Sequence, residues 1–183
     1  MTHKDVIIKG DLIMKKIITM TIWCLISVMM FADGVDSIKF LKENRMKWFN
    51  EKYVDELIEK SKLNVNDDFI YIEEGNTNFG LGLILLKQKT FYDYSNHEII
   101  EKKLSKSIIK ELSEMKLHDS VKTDIGARDK CFYNIFIKNG DTINYALFDD
   151  SIYNNIDDET IEKDRQTAVR ILDLLGLGLY YEW

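Results

Sequence analysis

The sequence contains no proline among its 183 residues and only nine glycines, which excludes collagen-like and proline-rich linker architectures. Its two cysteines are too few for a disulfide scaffold. Basic residues are outnumbered, 25 against 31 acidic ones, and the net charge of −6 argues against a nucleic-acid binder, because phosphate contacts need clustered Lys and Arg. What remains is an ordinary globular balance, with 45% hydrophobic and 31% charged residues.

Residues that could hold a metal or a cofactor are also scarce. His97, His118 and Cys131 occur at none of the i, i+4 or C-x-x-C spacings that build zinc sites. The run Gly80-Leu-Gly-Leu lacks both the third glycine and the Lys-Ser/Thr pair of a phosphate-binding loop. We therefore expect neither a metal nor a cofactor.

The N-terminal part of the chain resembles a secretory signal in its composition. Lys15 and Lys16 precede residues 17–32, which carry no charge and are shorter than a typical membrane-spanning helix. Ala32-Asp33-Gly34 then places small residues two apart, as a signal peptidase site requires. We expect cleavage after Gly34, with the bond after Ala32 as second choice, and a secreted or periplasmic protein. An uncleaved N-terminal anchor is the alternative.

The thirteen residues before Met14 do not fit a signal peptide. Codons for Lys9-Gly10-Asp11 can spell a purine-rich bacterial ribosome-binding sequence, so we expect translation to start at Met14. Residues 1–34 are thus interpreted as an extension plus cleavable signal, and residues 35–183 as one globular domain. Cleavage removes four Lys and three Asp and leaves a net charge of −7 without a membrane span.

Hydrophobic periodicity predicts an α+β fold for residues 35–183. Apolar residues recur at helical spacing over 38–62, and two short apolar runs at 69–72 and 79–87 read as strands. Ser95 and Glu98 form a capping-box pattern that predicts a helix continuing to Met115. Asp157 or Asp158 begins a last helix that stops at Gly176. The prediction is a small antiparallel sheet covered by about three helices.

Residues 131–148 predict a β-hairpin in the C-terminal half of the chain. Two β-rich runs, 131–137 and 141–148, flank Asn139-Gly140, a pair that adopts the positive φ angles of a type I′ turn. We expect both residues at the central turn positions and Lys138 beside them in solvent.

One polar segment, Asp124-Ile-Gly-Ala-Arg-Asp129, is the candidate binding loop. It joins the second helix to the hairpin, and Arg128 is one of few arginines in a lysine-rich chain. Asp124, Arg128 and Asp129 are therefore the predicted binding residues; an ion pair that merely fixes the loop is the alternative.

Sparse catalytic residue types, a small domain and many aromatic residues favour an exported protein-binding domain without catalysis. An inhibitor or immunity-type protein is the form we expect, and the acidic charge favours a basic protein partner. One alternative is an exported hydrolase with a site near Cys131 and His118, oriented by an acid such as Asp124 or Asp129. Another is a small-ligand carrier that uses a cavity between sheet and helices.

Overall fold

A computed structural model describes residues 36–46, 51–75, 80–95, 97–121, 132–149, 152, 154 and 156–177. The described part has an α+β fold, as predicted. Its helices are α1 (Ser37–Asn44), α2 (Glu51–Ser61), α3 (Lys106–Glu114) and α4 (Glu159–Leu175). Its strands are β1 (Phe69–Gly75), β2 (Gly80–Leu85), β3 (Thr90–Ser95), β4 (Glu98–Lys103), β5 (Ser120–Val121), β6 (Phe132–Asn139) and β7 (Thr142–Asp149).

The strands form one sheet in the order β4-β3-β2-β1-β6-β7-β5. All neighbours pair antiparallel except the two-residue β5, which runs parallel to β7. The sheet is larger than the sequence suggested, because Thr90–Ser95, Glu98–Lys103 and Ser120–Val121 are also strands. Strand β4 begins a ladder of three antiparallel pairs between strands consecutive in the chain, and this ladder ends at the central strand β1.

Helices cover both faces of the sheet, and two separate cores result. On one face the core contains Ile70, Ile72 and Ile84 together with Leu112 of α3 and Leu172 of α4. On the other face Phe69, Tyr71 and Leu83 pack with residues of α1 and α2, namely Leu41, Val54 and Leu57. Alternate residues of β1 therefore point into different cores, which explains why this strand is apolar on both faces.

The segment after Ser95 differs from its prediction. The capping-box pattern at Ser95 does not start a helix; Ser95 pairs with Glu98 and closes the β3–β4 hairpin, with His97 at φ 64°. The helix begins ten residues later, where the Ser105 hydroxyl accepts the Ile108 amide at 3.3 Å. The predicted helical stripe failed because its first member, Ile100, lies on a strand that pairs with β3, where consecutive side chains alternate between the two faces of the sheet.

The β6–β7 hairpin forms as predicted, but its turn is displaced by one residue. Asn139 pairs with Thr142 as the last residue of β6, so the central turn positions are Gly140 and Asp141. Only Gly140 of the Asn-Gly pair has a positive φ, 59°. Glycine at the first central position is typical of a type II′ turn rather than the expected type I′.

Contacts at this turn also correct the expected position of Lys138. Its side chain is buried, and its ammonium group donates to the Gly140 carbonyl at 2.8 Å. The Gly140 amide in turn donates to Asp68 Oδ1 at 2.7 Å. The turn is thus fixed both by its own strand and by the residue that precedes β1.

Both predicted boundaries of the last helix are confirmed. The Asp158 side chain accepts the amides of Thr160 and Ile161, and Gly176 ends α4 at φ 68°. Arg165 on the buried face binds Glu162 and donates to the Ile152 carbonyl at 2.8 Å. The Arg165 hydrogen bonds to Glu162 hold the pKa of that carboxyl down to about 2, and the bond to Ile152 ties the residues before α4 to the helix.

Replacing Gly140 with valine tests the turn geometry. An added Cβ meets nothing within 4 Å, so the whole penalty comes from the positive φ, and we expect a loss of about 1–2 kcal/mol in unfolding free energy. Asp141→Ala, at the neighbouring exposed turn position, is the control and should change stability by less than about 0.5 kcal/mol. Equal losses in urea denaturation would contradict this assignment of the turn.

Candidate functional site

The predicted binding residues Asp124, Arg128 and Asp129 lie outside the described residues, as does Cys131. In the chain they belong to the connection between β5 and β6. The binding role of these loop residues therefore stays a prediction. Three other constellations of polar side chains fall within the described residues, and each is held by a different part of the sheet.

The first constellation is a surface groove between α2 and the β3–β4 hairpin, with a volume of about 520 Å³. Its lining combines aromatic, apolar and charged side chains: Glu56, Glu59, Lys60, Lys62, Tyr94, His97 and Ile99. Helix α2 supplies the charged wall, because its other face is buried through Val54 and Leu57. We refer to these seven residues as the α2–β4 groove.

Tyr94 and His97, two aromatic residues that line this groove, both contact the ring of Tyr53. The Tyr53 and Tyr94 ring centroids lie 5.1 Å apart at an interplanar angle of 32°, and His97 meets the Tyr53 ring edge-on at 6.0 Å. Burial and the nearby Glu56 carboxylate raise the pKa of Tyr94, so its phenol stays protonated at neutral pH. The groove thus offers a π surface and a phenolic donor beside two carboxylates and two ammonium groups.

The second constellation is an oriented histidine on the other side of the sheet. His118 Nδ1 lies 2.8 Å from Asp164 Oδ1, and the His118 amide donates to both Asp164 oxygens at 2.9 Å. The Asp164 side chain is completely buried on α4, whereas 54% of the His118 side chain is exposed. A buried acid that fixes one ring nitrogen of an exposed imidazole is the arrangement of a positioned general base.

Among the described residues the acid that orients His118 is Asp164; Asp124 and Asp129, which the sequence suggested, lie outside them. The partners are 46 residues apart, on the segment after α3 and on α4. Asp164 occupies an inward position of α4, one residue before the buried Arg165. An acidic residue on the buried side of the predicted helix was therefore the sequence feature that could have indicated this pair.

The third constellation surrounds a fully buried carboxyl group on the central strand. Glu73 Oε2 accepts the Met46 amide at 2.8 Å and the Asn134 side chain at 2.9 Å, and Oε1 accepts the Tyr71 hydroxyl at 3.0 Å. Asn134 also donates to the Asn44 carbonyl at 3.3 Å. The network ties the C-terminal end of α1 to β1 and β6.

Burial outweighs these donors in setting the protonation of Glu73. Desolvation raises the pKa of Glu73 to about 7, although hydrogen bonds from Met46, Asn134 and Tyr71 and the charge of Arg45 act in the opposite direction. Sequence reasoning missed this residue. The signal in the sequence was the spacing of Glu73, which follows Tyr71 by two residues and Phe69 by four. It therefore lies on the same side of β1 as these residues, the side that faces α1 and α2.

Within the described ranges, no group of three or more His, Cys, Asp or Glu side chains comes together to hold a metal ion. None of the helices described for this chain combines the length and apolar character needed to cross a membrane. No protein-family model, no curated protein and no solved structure matches the sequence or the fold.

Glu73 makes stability depend on pH in a defined direction. The unfolded carboxyl ionises near 4.5 and the folded one near 7, so the folded state binds more protons between these values and loses stability as pH rises. We expect Glu73→Gln to match the parent protein near about pH 4 and to exceed it by about 3 kcal/mol near about pH 8.

Urea denaturation across this pH range measures the effect. Glu43→Gln, which removes an exposed carboxylate from α1, is the control and should follow the parent curve. Parallel curves for Glu73→Gln and the parent protein would show that the buried carboxyl keeps an ordinary pKa.

Proposed function

We propose that this chain is an exported, non-catalytic protein-binding domain of the inhibitor or immunity type. The observation that carries the proposal is the α2–β4 groove, where an aromatic and apolar surface lies beside charged side chains on a helix and a hairpin anchored in the core. Grooves of this composition suit a protein segment with one apolar or aromatic anchor and flanking polar groups. The proposal that the protein is exported rests on the sequence of residues 14–34. Determining the N-terminal residue of the mature protein tests it.

The charges of the groove suit an extended protein segment. Its rim carries both signs, with Glu56 and Glu59 on α2 followed along the chain by Lys60 and Lys62. A partner segment can place an aromatic or aliphatic side chain against Ile99 and the exposed His97 ring, and a cationic one at Glu56. The net charge of −6 adds a longer-range attraction for a basic protein.

Reversing one charge in the groove tests this function. Glu56→Lys reverses the charge at a half-buried position of α2 and repels a cationic partner segment, so we expect at least about tenfold weaker capture of partners from envelope extract. Glu114→Lys, at an exposed position on α3, changes the net charge equally and is the matched control. Quantitative mass spectrometry of the captured proteins compares the three baits; equal capture by both variants would place the binding surface elsewhere.

The His118–Asp164 pair favours a second candidate, an exported hydrolase in which His118 activates a nucleophile. Cys131 is the nucleophile that the sequence offers. The two functions differ in the reactivity of this thiol, because an imidazole that takes its proton generates the reactive thiolate at neutral pH.

Alkylation of Cys131 by iodoacetamide separates the two functions. For a binding domain we expect the native thiol to react no faster than the unfolded one, with no change in His118→Ala. That variant retains the amide bonds to Asp164, so its fold should be preserved. A thiol that reacts faster than the unfolded one and slows in His118→Ala would favour the hydrolase.

A further inference from the structure

Strand β4 is an edge of the described sheet along its whole length, and its exposed side chains complement one another. β4 pairs with β3 and with no other described strand, whereas at the opposite edge the two-residue β5 pairs with Ala146 and Leu147 of β7. Within β4 every residue except Ile99 is exposed, including Ile100 with 45% of its surface accessible. We propose that β4 pairs antiparallel with β4 of a second copy of this chain, so that the two sheets join about a twofold axis at Ile100.

The hydrogen-bond pattern of the β3–β4 hairpin determines which backbone groups of β4 are available. The Leu104 amide donates to the Lys89 carbonyl at 2.9 Å, in register with the pairs that precede it. Bonded and non-bonded pairs alternate in an antiparallel ladder, so residues 98, 100 and 102 direct their amides and carbonyls toward β3. The backbone groups of Ile99, Glu101 and Lys103 are directed away from β3.

This alternation restricts the registers in which two β4 strands can pair. Outward-directed residues must lie opposite one another, which the pairing of Ile100 with Ile100 of the second copy achieves. Ile99 of each copy then exchanges backbone hydrogen bonds with Glu101 of the other. On the face of Ile100, Glu98 of each copy lies opposite Lys102 of the other, so two ion pairs flank the isoleucine pair.

Neighbouring allowed registers lack this complementarity. Moving the centre to Glu101 places two carboxylates opposite each other and Ile100 opposite a lysine. Moving it to Ile99 places Glu98 opposite Ile100 and leaves Lys102 beyond the paired residues. The charge pattern of β4 therefore favours one twofold arrangement of the two copies. The same charges on β4 discourage pairing with unrelated strands but attract each other between two copies of this chain.

The side chains already have the required arrangement in one chain. The Lys102 ammonium lies 2.7 Å from Asp93 Oδ2 and 5.5 Å from the centroid of the Phe91 ring, and 48% of the side chain stays exposed. It is thus held on the Ile100 face of the strand while it remains accessible to a second carboxylate. A six-residue edge buries little area, so the dimer should be weak and depend on concentration.

A charge swap tests the proposal. Glu98→Lys and Lys102→Glu each place like charges opposite each other in a homodimer, so each variant should dimerise at least roughly tenfold more weakly than the parent. An equimolar mixture of the two variants forms two correct pairs per heterodimer and should regain the parent affinity. Sedimentation velocity at protein concentrations from about 10 μM to about 1 mM measures this association. The protein is purified with the N-terminus that processing in the cell gives it.

A backbone substitution tests the pairing independently of charge. Glu101→Pro removes an amide that points away from β3, so the hairpin keeps its own ladder while the contact between copies is lost. Glu101→Thr keeps the amide and should dimerise like the parent. Circular dichroism and thermal melting of both variants confirm that the fold is intact.

The outcomes that overturn the proposal are specific. A parent protein that stays monomeric at about 1 mM excludes the dimer, and protected Ile99 and Glu101 amides in that monomer, measured by hydrogen exchange, show that the chain covers its own edge. A dimer that survives Glu101→Pro, or a variant mixture that stays monomeric, means that another surface is used. Glu56→Lys should leave dimerisation unchanged, which keeps this result separate from the proposed binding function.

Discussion

The central strands β1 and β6 are buried on both faces, and this constraint places the other elements. Residues of β1 alternate between a core shared with α3 and α4 and one shared with α1 and α2. A one-residue slip of β1 would exchange the core faces of its side chains and move Glu73 from its donors to the opposite face. The register of the sheet and the position of α1 are thus fixed together, because Met46, at the end of α1, is bonded to that same carboxyl.

Much of the sheet could be predicted because apolar strands bounded by turn residues leave few alternatives. The β6–β7 hairpin and the limits of α4 follow from local chemistry, Gly140 and Gly176 at positive φ and Asp158 as the N-cap. The segment Glu98–Lys103 could not be predicted in the same way. Its sequence, EIIEKK, has neither clean alternation nor an apolar face, and pairing with β3 gives it strand structure.

The candidate sites were harder to predict than the fold, since each combines residues that are distant in sequence. His118 and Asp164 belong to separate segments that meet only when α4 packs on the sheet. The α2–β4 groove depends on strand β4, which the capping-box pattern at Ser95 predicted as part of a helix, so Tyr94 and Ile99 could not be placed beside Glu56. The predicted loop residues Asp124, Arg128 and Asp129 stay a prediction.

The proposed binding groove and the proposed dimer edge meet at Ile99. Its side chain lines the groove, and its backbone groups face outward along the edge of β4. In the twofold arrangement, Glu101 of the second copy lies opposite Ile99 on the groove side of the sheet. A segment bound in the groove would then touch both copies, and ligand binding and dimerisation would strengthen each other by the same factor. Weak self-association at the edge would then let a small acidic domain present a two-sided binding surface, to a greater extent when a partner is bound.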